Sequence, residues 1–392
     1  MKQHKIKESL FLKFISISIM FLFFIVCSSS YRLNNLPVDI YVGGESFISS
    51  TSVPVAVYWK NGEMVQLSRK YWKSDKDKPI HSTEMSRVNS IAVAGDDIYS
   101  GGYYVKYDFS ANPNDVGTAD FEVKVACYWK NGKLVTLSNS KYGSEVKTIF
   151  VSGNYVYAGG YIFSKDAGKG GYWKNGKWVD LSSSVESIFV SGDDVYACGN
   201  SRGRPGYWKN NERIALSPIS EKERTYTYSI FVSGNDVYVC GEGRNDLGVA
   251  TACYWKNGEL IPLLSFESKY NSKGASIFVS GNDVYVGGYS HNRRFPSVAG
   301  YWKNDKWIAL TPIDNEASSE VTSIFIFGND VYAAGDCISN NGRHIPGYWK
   351  NGEWVGFNAH GGPDTVSSIV VVPCQYLNRS ELNSSLIGTI CL

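Results

Sequence analysis

Arginine, histidine and tyrosine side chains are concentrated in short segments whose length and content change along the chain. A guanidinium group pairs with carboxylates or phosphates through its planar fork, and a flat aromatic ring offers contact area at a small entropy cost. A glycan or an acidic peptide is therefore a reasonable ligand, although the same residues also occur as ordinary solvated loop residues. The candidate ligand-binding residues are Arg202, Arg204, Arg244, Tyr289, His291, Arg293, Arg294 and His344.

Linear motifs of catalysis are missing from the sequence. It contains no nucleophile elbow, no phosphate-binding loop and no Cys or His spacing typical of a metal site. We therefore expect no catalytic residue, no metal and no cofactor. An enzyme whose site is assembled from distant segments would also lack a linear motif, so catalysis stays open as an alternative.

The variable segments lie between two signals that alternate seven times along the chain, and internal repetition at this spacing determines the fold class. One signal has the form Asp283 to Gly288, Asp-Val-Tyr-Val-Gly-Gly, and the other is Tyr-Trp followed by Lys-Asn. The Tyr-Trp pairs begin at Tyr58, Tyr128, Tyr172, Tyr207, Tyr254, Tyr301 and Tyr348.

Each repeat has the pattern of four short strands, which we name a to d. In the copy near residue 290, strand a is predicted at 277–280, b at 284–288, c at 300–303 and d at 306–310. Strand a is a continuous apolar run rich in β-branched and aromatic residues, as expected where both sheet faces are covered. An Asn-Gly pair or a close equivalent between c and d predicts a two-residue hairpin turn.

The two ends of the repeat array predict how the ring closes. The chain enters the first unit at strand b, in residues 38–44, and leaves the last unit with a strand a at 369–372. Three N-terminal strands and one C-terminal strand would complete one blade and leave no free sheet edge at the seam. The prediction is an all-β, seven-bladed propeller of four antiparallel strands per blade over residues 36–373, followed by a C-terminal tail at 374–392.

The repeat resembles that of kelch-type propellers. Gly287 and Gly288 end strand b, and Tyr301 and Trp307 take the places of the kelch Tyr and Trp. The pattern also resembles secreted bacterial proteins with Tyr-Trp-Lys-Asn-Gly repeats, for which no activity is established. The kelch resemblance implies the fold, and through exported kelch-type sugar epimerases it implies a carbohydrate-active enzyme as an alternative function.

The connections between strands differ in kind. The a-to-b and c-to-d connections are short and nearly identical in every repeat, whereas the b-to-c and d-to-a connections change in length and content. In a four-stranded meander the two kinds emerge on opposite faces, which we call the turn face and the variable face. Recognition needs unique groups held on a rigid scaffold, so the variable face is the expected binding face.

The N-terminal segment predicts export. Basic residues precede an apolar run at 14–26, and Cys27 with three serines follows it, which is typical of an export signal over residues 1–27 and is short for a membrane span. Residues 28–35 would form a short linker. Cys27 raises lipidation as one alternative, beside ordinary cleavage and an uncleaved anchor, so contact with a membrane is expected only through this segment. The expected location is the bacterial cell envelope or the exterior.

Charge and cysteine content limit the partners. With 39 Lys and Arg against 37 Asp and Glu, the net charge of +2 argues against a nucleic-acid binder that neutralises phosphates. Disulfides are permitted outside the cytoplasm, and the candidate pairs are Cys240 with Cys253 and Cys374 with Cys391. We expect an exported, monomeric, non-catalytic propeller that binds a protein or glycan through the variable face, with a structural envelope protein as a further alternative.

Overall fold

The computed structural model describes residues 36–47, 53–67, 85–108, 121–164, 168–201, 203–264, 270–292, 295–311, 318–339, 342–358 and 362–374. These residues form seven four-stranded antiparallel sheets, and the predicted seven-bladed propeller is confirmed. In the part of the chain described, no helix is long and apolar enough to cross a membrane.

Each blade consists of strands a, b, c and d in that order. Blade 1 has β28 (Thr365–Pro373), β1 (Val38–Phe47), β2 (Pro54–Lys60) and β3 (Glu63–Gln66). Blade 2 has β4 (Ser86–Ala94), β5 (Asp97–Asp108), β6 (Phe121–Lys130) and β7 (Lys133–Thr136). Blade 3 has β8 (Ser144–Ser152), β9 (Tyr155–Phe163), β10 (Gly168–Lys174) and β11 (Lys177–Asp180). Blade 4 has β12 (Ser187–Ser191), β13 (Asp194–Ser201), β14 (Arg204–Lys209) and β15 (Glu212–Ala215).

The last three blades have the same strand order. Blade 5 has β16 (Thr225–Ser233), β17 (Asp236–Arg244), β18 (Ala250–Lys256) and β19 (Glu259–Pro262). Blade 6 has β20 (Ser272–Ser280), β21 (Asp283–Asn292), β22 (Phe295–Lys303) and β23 (Lys306–Ala309). Blade 7 has β24 (Ser318–Phe327), β25 (Asp330–Ile338), β26 (His344–Lys350) and β27 (Glu353–Gly356).

Strand a of every blade contacts strand a of both neighbouring blades, so these seven strands form the inner wall of the ring. The seam is closed as predicted: β28 pairs antiparallel with β1, from Val38 opposite Pro373 to Glu45 opposite Thr365. The C-terminal strand thereby supplies the inner strand of the first blade.

A hydroxyl side chain on each strand a joins its blade to the next one. In blade 5, Ser229 Oγ accepts a hydrogen bond of 3.3 Å from the backbone N–H of Ile277 in blade 6. This N–H lies on the inner edge of strand a, where no further strand follows. The seven bonds measure 3.1–3.4 Å and form a closed circle, which we call the serine ring: Ser90, Thr148, Ser187, Ser229, Ser276, Ser323 and Ser368.

A β-bulge precedes the serine ring, and the second glycine of the doublet lies opposite it and never changes. In blade 6 the register between β20 and β21 shifts between Gly274 and Ser276, and the same shift recurs in every blade except blade 4. A Cβ on Gly288 would overlap the carbonyl oxygen of Lys273 on the neighbouring strand of its own sheet. A side chain is therefore excluded at this position by backbone atoms.

The first glycine of the doublet faces the next blade, and there the packing tolerates exchange. A Cβ on Gly287 would lie 2.8 Å from Cγ1 of Val321 in blade 7. Blade 5 has Cys240 at this position, and its thiol lies 3.7 Å from the carbonyl oxygen of Gly274, which stands where blade 7 has Val321. The larger side chain of Cys240 is thus accompanied by a smaller residue, Gly274, in the next blade, as close packing requires.

The tryptophans of the Tyr-Trp pairs pack between blades. The side chain of Trp302 is fully buried, and its indole N–H donates to the carbonyl oxygen of Leu264 in the preceding blade at 2.8 Å. All seven of these indoles are at most 3% exposed: Trp59, Trp129, Trp173, Trp208, Trp255, Trp302 and Trp349. They are scaffold residues.

The turn face carries one repeated polar contact. In blade 5, Asp236 accepts from Asn257 Nδ2 at 2.8 Å and pairs with Lys256 Nζ at 2.9 Å. Asn257 Oδ1 in turn accepts from the backbone N–H of Val237 at 2.9 Å, so the Lys-Asn of the c-to-d turn holds the a-to-b turn. Blade 3 departs from the pattern, because Tyr155 replaces the aspartate and its ring lies 4.4 Å from Lys174 Nζ.

The disulfide expected between Cys240 and Cys253 is not formed, since both residues are buried free thiols. Cys240 is paired with Tyr254, and Cys253 is paired with Gly241. Paired residues share a face of the sheet and consecutive residues do not. The two thiols therefore lie on opposite faces of the blade.

Substitution of the two glycines of one doublet should have unequal effects. We expect Gly288→Ala to lower the free energy of unfolding by more than about 3 kcal/mol, because backbone atoms must move. Gly287→Ala, the matched control, should cost only about 1–2 kcal/mol, because a valine side chain can yield and blade 7 already has alanine there. Equal losses in chemical denaturation would contradict this account.

The serine ring is tested by one pair of variants. Ser229→Ala leaves a buried N–H without an acceptor, which costs about 1–3 kcal/mol. Ser229→Thr keeps the acceptor, as Thr148 does in blade 3, and should stay within about 1 kcal/mol of the original protein. The measurement is thermal and urea unfolding, and indistinguishable stabilities of the two variants would argue against the ring.

Candidate functional site

Strands a and b extend further towards the variable face than the sequence pattern predicts. Strand a of blade 6 begins at Ser272 rather than at 277, and strand b continues past Gly288 to Asn292. The apolar pattern fails beyond the bulge because the extra residue changes which side chains face the neighbouring blades. The extensions surround the central channel where it opens on the variable face, and we call this opening the mouth.

Three positions at the mouth break the sevenfold repetition, counted in order from blade 1 to blade 7. The third residue before the serine ring is Thr365, Arg87, Glu145, Ser184, Tyr226, Lys273 and Glu320. The residue directly before the ring is Ser367, Asn89, Lys147, Glu186, Tyr228, Ala275 and Thr322. The residue after the second glycine is Glu45, Tyr103, Tyr161, Asn200, Glu242, Tyr289 and Asp336.

Glu145 is the centre of a network in blades 2 and 3. Its carboxylate is 3% exposed and pairs with Lys124 Nζ at 2.9 Å and Lys147 Nζ at 2.8 Å. It also accepts from Asn89 Nδ2 at 2.9 Å and from the Tyr161 hydroxyl at 2.6 Å. Burial by itself raises the pKa of Glu145, but Lys147 and these donors outweigh it and bring the pKa to about 2. The carboxylate is therefore ionised at any physiological pH and holds four side chains in place.

The network continues into blade 1. Arg87 of blade 2 donates to Glu45 at 3.0 Å and to Ser367 Oγ at 3.2 Å, and both acceptors belong to blade 1. Tyr103 lies between the two carboxylates, and burial, followed by the charges of Glu45 and Glu145, raises the pKa of its phenol to about 12. In this half of the mouth the charged side chains are thus paired with one another.

The half of the mouth formed by blades 4 to 7 is less saturated. Glu242 accepts from the hydroxyl of Tyr228 at 2.9 Å, and the ammonium of Lys273 lies 4.6 Å from the centre of the Tyr228 ring. Burial and the charges of Glu242 and Glu320 raise the pKa of Tyr289. Within the described ranges, neither Glu242 nor Glu320 takes part in an ion pair. Carboxylates and phenols here remain open to a ligand.

Asp336 is a mouth carboxyl whose burial favours its protonated form. Its side chain is 6% exposed, and its Oδ1 accepts from the backbone N–H of Val366 in blade 1 at 3.2 Å. Burial raises its pKa from 3.8 to about 8, the Val366 N–H opposes this shift, and the charge of Glu320 adds to it. In blade 4, Asn200 makes the equivalent bond to the backbone N–H of Thr227 at 2.8 Å, so a neutral side chain can serve here.

Asp336 should make the stability of the protein depend on pH. Because its folded pKa lies above the unfolded value, its contribution is fully present below pH 3.8 and is lost as the pH rises towards 8. We expect Asp336→Asn to gain about 4 kcal/mol relative to the original protein between pH 3 and pH 7. Urea unfolding of both proteins across this pH range measures the difference, and parallel pH profiles would show that Asp336 ionises normally.

The residues selected from the sequence do not form one site. Tyr289 lies at the mouth, whereas Arg244 and His291 line a separate cavity at the rim of the variable face. Arg204 is exposed at the start of β14, and His344 is half-buried at the start of β26. Arg202, Arg293 and Arg294 lie outside the described residues, as do Cys27 and Cys391; the thiol of Cys374 lies 3.5 Å from Asp39 Oδ1.

Most of the mouth residues were not predicted from the sequence, because they lie within strands and only the loops were expected to vary. A usable signal was present. Glu45, Glu145, Glu242 and Asp336 occupy fixed offsets from the repeated glycines and serines, yet their types differ from blade to blade. The site is therefore marked by positions whose spacing from the repeated residues is constant and whose residue type changes from blade to blade.

Solved structures resemble this chain at low sequence identity. No protein-family model matches the sequence, and no curated protein sequence matches it. A β-xylosidase named RS223 is 11% identical, with a TM-score of 0.31 and coverage of 69% of this chain and 97% of that chain. An α-L-arabinofuranosidase from Clostridium thermocellum is 11% identical, with a TM-score of 0.33 and coverage of 70% and 94%. An arginine-to-alanine mutant of AofleA from Arthrobotrys oligospora is 12% identical, with a TM-score of 0.39 and coverage of 74% and 89%.

Proposed function

We propose that the protein is a non-catalytic carbohydrate-binding propeller whose ligand binds at the mouth of the central channel. The observation that carries this proposal is the failure of the repeat at the three mouth positions, where the side chain changes from blade to blade. The basic and apolar N-terminal segment supports export of this propeller to the cell envelope or the exterior.

The scaffold alone does not require these side chains. The serine ring, the glycine doublets and the buried tryptophans recur around the ring and account for its closure. A buried charge such as that of Glu145 is costly unless it is fully paired, and the corresponding position of blade 4 has only Ser184. The repeat does not require this network, and strongly perturbed carboxyls such as Glu145 cluster at functional sites.

The chemistry of the open half suits a sugar. Sugar hydroxyls both donate and accept hydrogen bonds, and the side-chain oxygens of Glu242 and Glu320 can accept them. Tyr228 and Tyr289 add rings that can pack against the C–H face of a pyranose. Because Tyr228 is already held by Glu242 at 2.9 Å, part of the ordering cost of binding is avoided.

A carbohydrate-active enzyme is the second candidate, and the raised pKa of Asp336 favours it. Burial, with the charges of Glu320 and Glu45, raises the pKa of Asp336, and a carboxyl with a raised pKa near other carboxyls is a known arrangement for acid–base catalysis. The burial of Asp336 against Val366 favours a structural role. Product analysis of any bound glycan separates the candidates, because a binding protein returns its ligand unchanged.

The binding proposal is tested with a glycan array of the purified protein, followed by calorimetry with the best ligand. We expect Tyr289→Ala and Glu242→Gln each to weaken binding at least about tenfold, a loss of about 1.4 kcal/mol. Lys256→Ala, on the turn face, is the control and should bind like the original protein. An array without a single bound glycan, or full affinity in both mouth variants, would refute the proposal; unfolding temperatures establish that the variants are folded.

A further inference from the structure

We infer a second binding site on the variable face, in a cavity at the rim between blades 5 and 6, which takes a carboxylate-bearing group of a small ligand. The cavity has a volume of about 210 Å³, and its lining includes Arg244, Leu247, Tyr270, Asn271 and His291. These residues come from three segments of the chain. They are the end of strand b of blade 5 with its b-to-c connection, the connection from blade 5 to blade 6, and the end of strand b in blade 6.

Arg244 is held in place before any ligand arrives. One guanidinium nitrogen donates to the carbonyl oxygen of Gly248 at 2.7 Å. The turn that carries Gly248 is itself closed by Asn245, whose side-chain oxygen accepts from the backbone N–H groups of Leu247 and Val249 at 3.0 Å each. Among the residues that the structure describes, the guanidinium has no other hydrogen-bond partner, so its remaining donors are available at a defined place.

Asn271 fixes the opposite wall relative to this turn. Its side-chain oxygen accepts from the backbone N–H of Ala250 at 3.0 Å, and its carbonyl oxygen accepts from the backbone N–H of His291 at 2.7 Å. The imidazole of His291 is half-buried at the cavity. Two strand ends and a connection between blades are thus bound together around one small space, which is the pre-organisation that a specific site needs.

The lining lacks the negative charge that would balance Arg244. None of the described residues lining the cavity is an aspartate or a glutamate. Guanidinium and imidazole groups are both donors to oxyanions, and the planar fork of arginine matches the two oxygens of a carboxylate. An acidic group of a ligand would therefore meet no competing carboxylate of this lining at Arg244.

The size and the apolar edge of the cavity limit the ligand further. A volume of about 210 Å³ lies below the roughly 300–1,000 Å³ of pockets for drug-sized ligands, so a single ring or one side chain fits. Leu247 is 88% exposed at the edge and offers an apolar contact to the face of such a ring. A sugar acid, one carboxylate on one pyranose ring, satisfies both conditions.

The rim site does not depend on the proposed function of the mouth, since the two share no residue and differ in charge. The test is a calorimetric titration of the purified protein at low salt with glucuronate, and with glucose and inorganic phosphate as separate probes. We expect glucuronate to bind and glucose to bind at least tenfold more weakly. Glucose binding as tightly as glucuronate, or phosphate binding more tightly, would overturn the assignment to a carboxylate.

Three variants test where on the protein glucuronate binds. Arg244→Gln should weaken glucuronate binding at least tenfold, whereas Arg204→Gln, which changes an exposed arginine at the equivalent connection of blade 4, should leave it unchanged. Glu242→Gln, which disables the mouth, should not weaken it, so failure of one site is distinguishable from failure of the other. Glucuronate should also shift the ring resonances of His291. Unchanged affinity in Arg244→Gln, or a His291 signal that does not move, would refute the rim site.

Discussion

The structure depends on the β-bulge that precedes the hydroxyl residue of the inner strand in six of the seven blades. The hydroxyl that follows the bulge accepts from an N–H of the next blade that has no further strand to pair with, as Ser229 does for Ile277. The same bulge brings a carbonyl oxygen into the space of a side chain on the adjacent strand, so Gly288 cannot be replaced there. In these six blades the bulge therefore lies beside two constraints of the fold, the hydrogen bond to the next blade and the glycine that cannot carry a side chain.

The fold could be predicted because its requirements recur. The turn residues, the apolar inner strands and the Tyr-Trp pairs repeat seven times, and the partial units at the two ends specify the seam formed by β28 and β1. The true length of the inner strands could not be predicted. Strand β20 includes residues Ser272 to Gly274, which precede the bulge. The residue inserted at the bulge interrupts the alternation of apolar and polar side chains on which strand prediction relies.

The candidate site was predictable only in part, for a physical reason. The variable face could be derived from connection lengths, and Arg244 with His291 does line a cavity there. The network around Glu145 could not be predicted from the sequence. It depends on the proximity of Lys124, Lys147 and Asn89, which lie on three strands of two blades. Contacts between blades follow from register and bulge geometry, and a single sequence does not encode them as a local pattern.

The seam has a consequence for the order of folding. Blade 1 receives its inner strand from Thr365–Pro373, whereas every other blade is continuous in the chain. The edge of β1 that pairs with this strand therefore stays unpaired until the chain has been made as far as Pro373. Ser368 and Ser323 then complete the circle of hydrogen bonds in the final step. A chain that stopped short of this strand would expose the edge of β1, and an unpaired strand edge is a template for association with another chain.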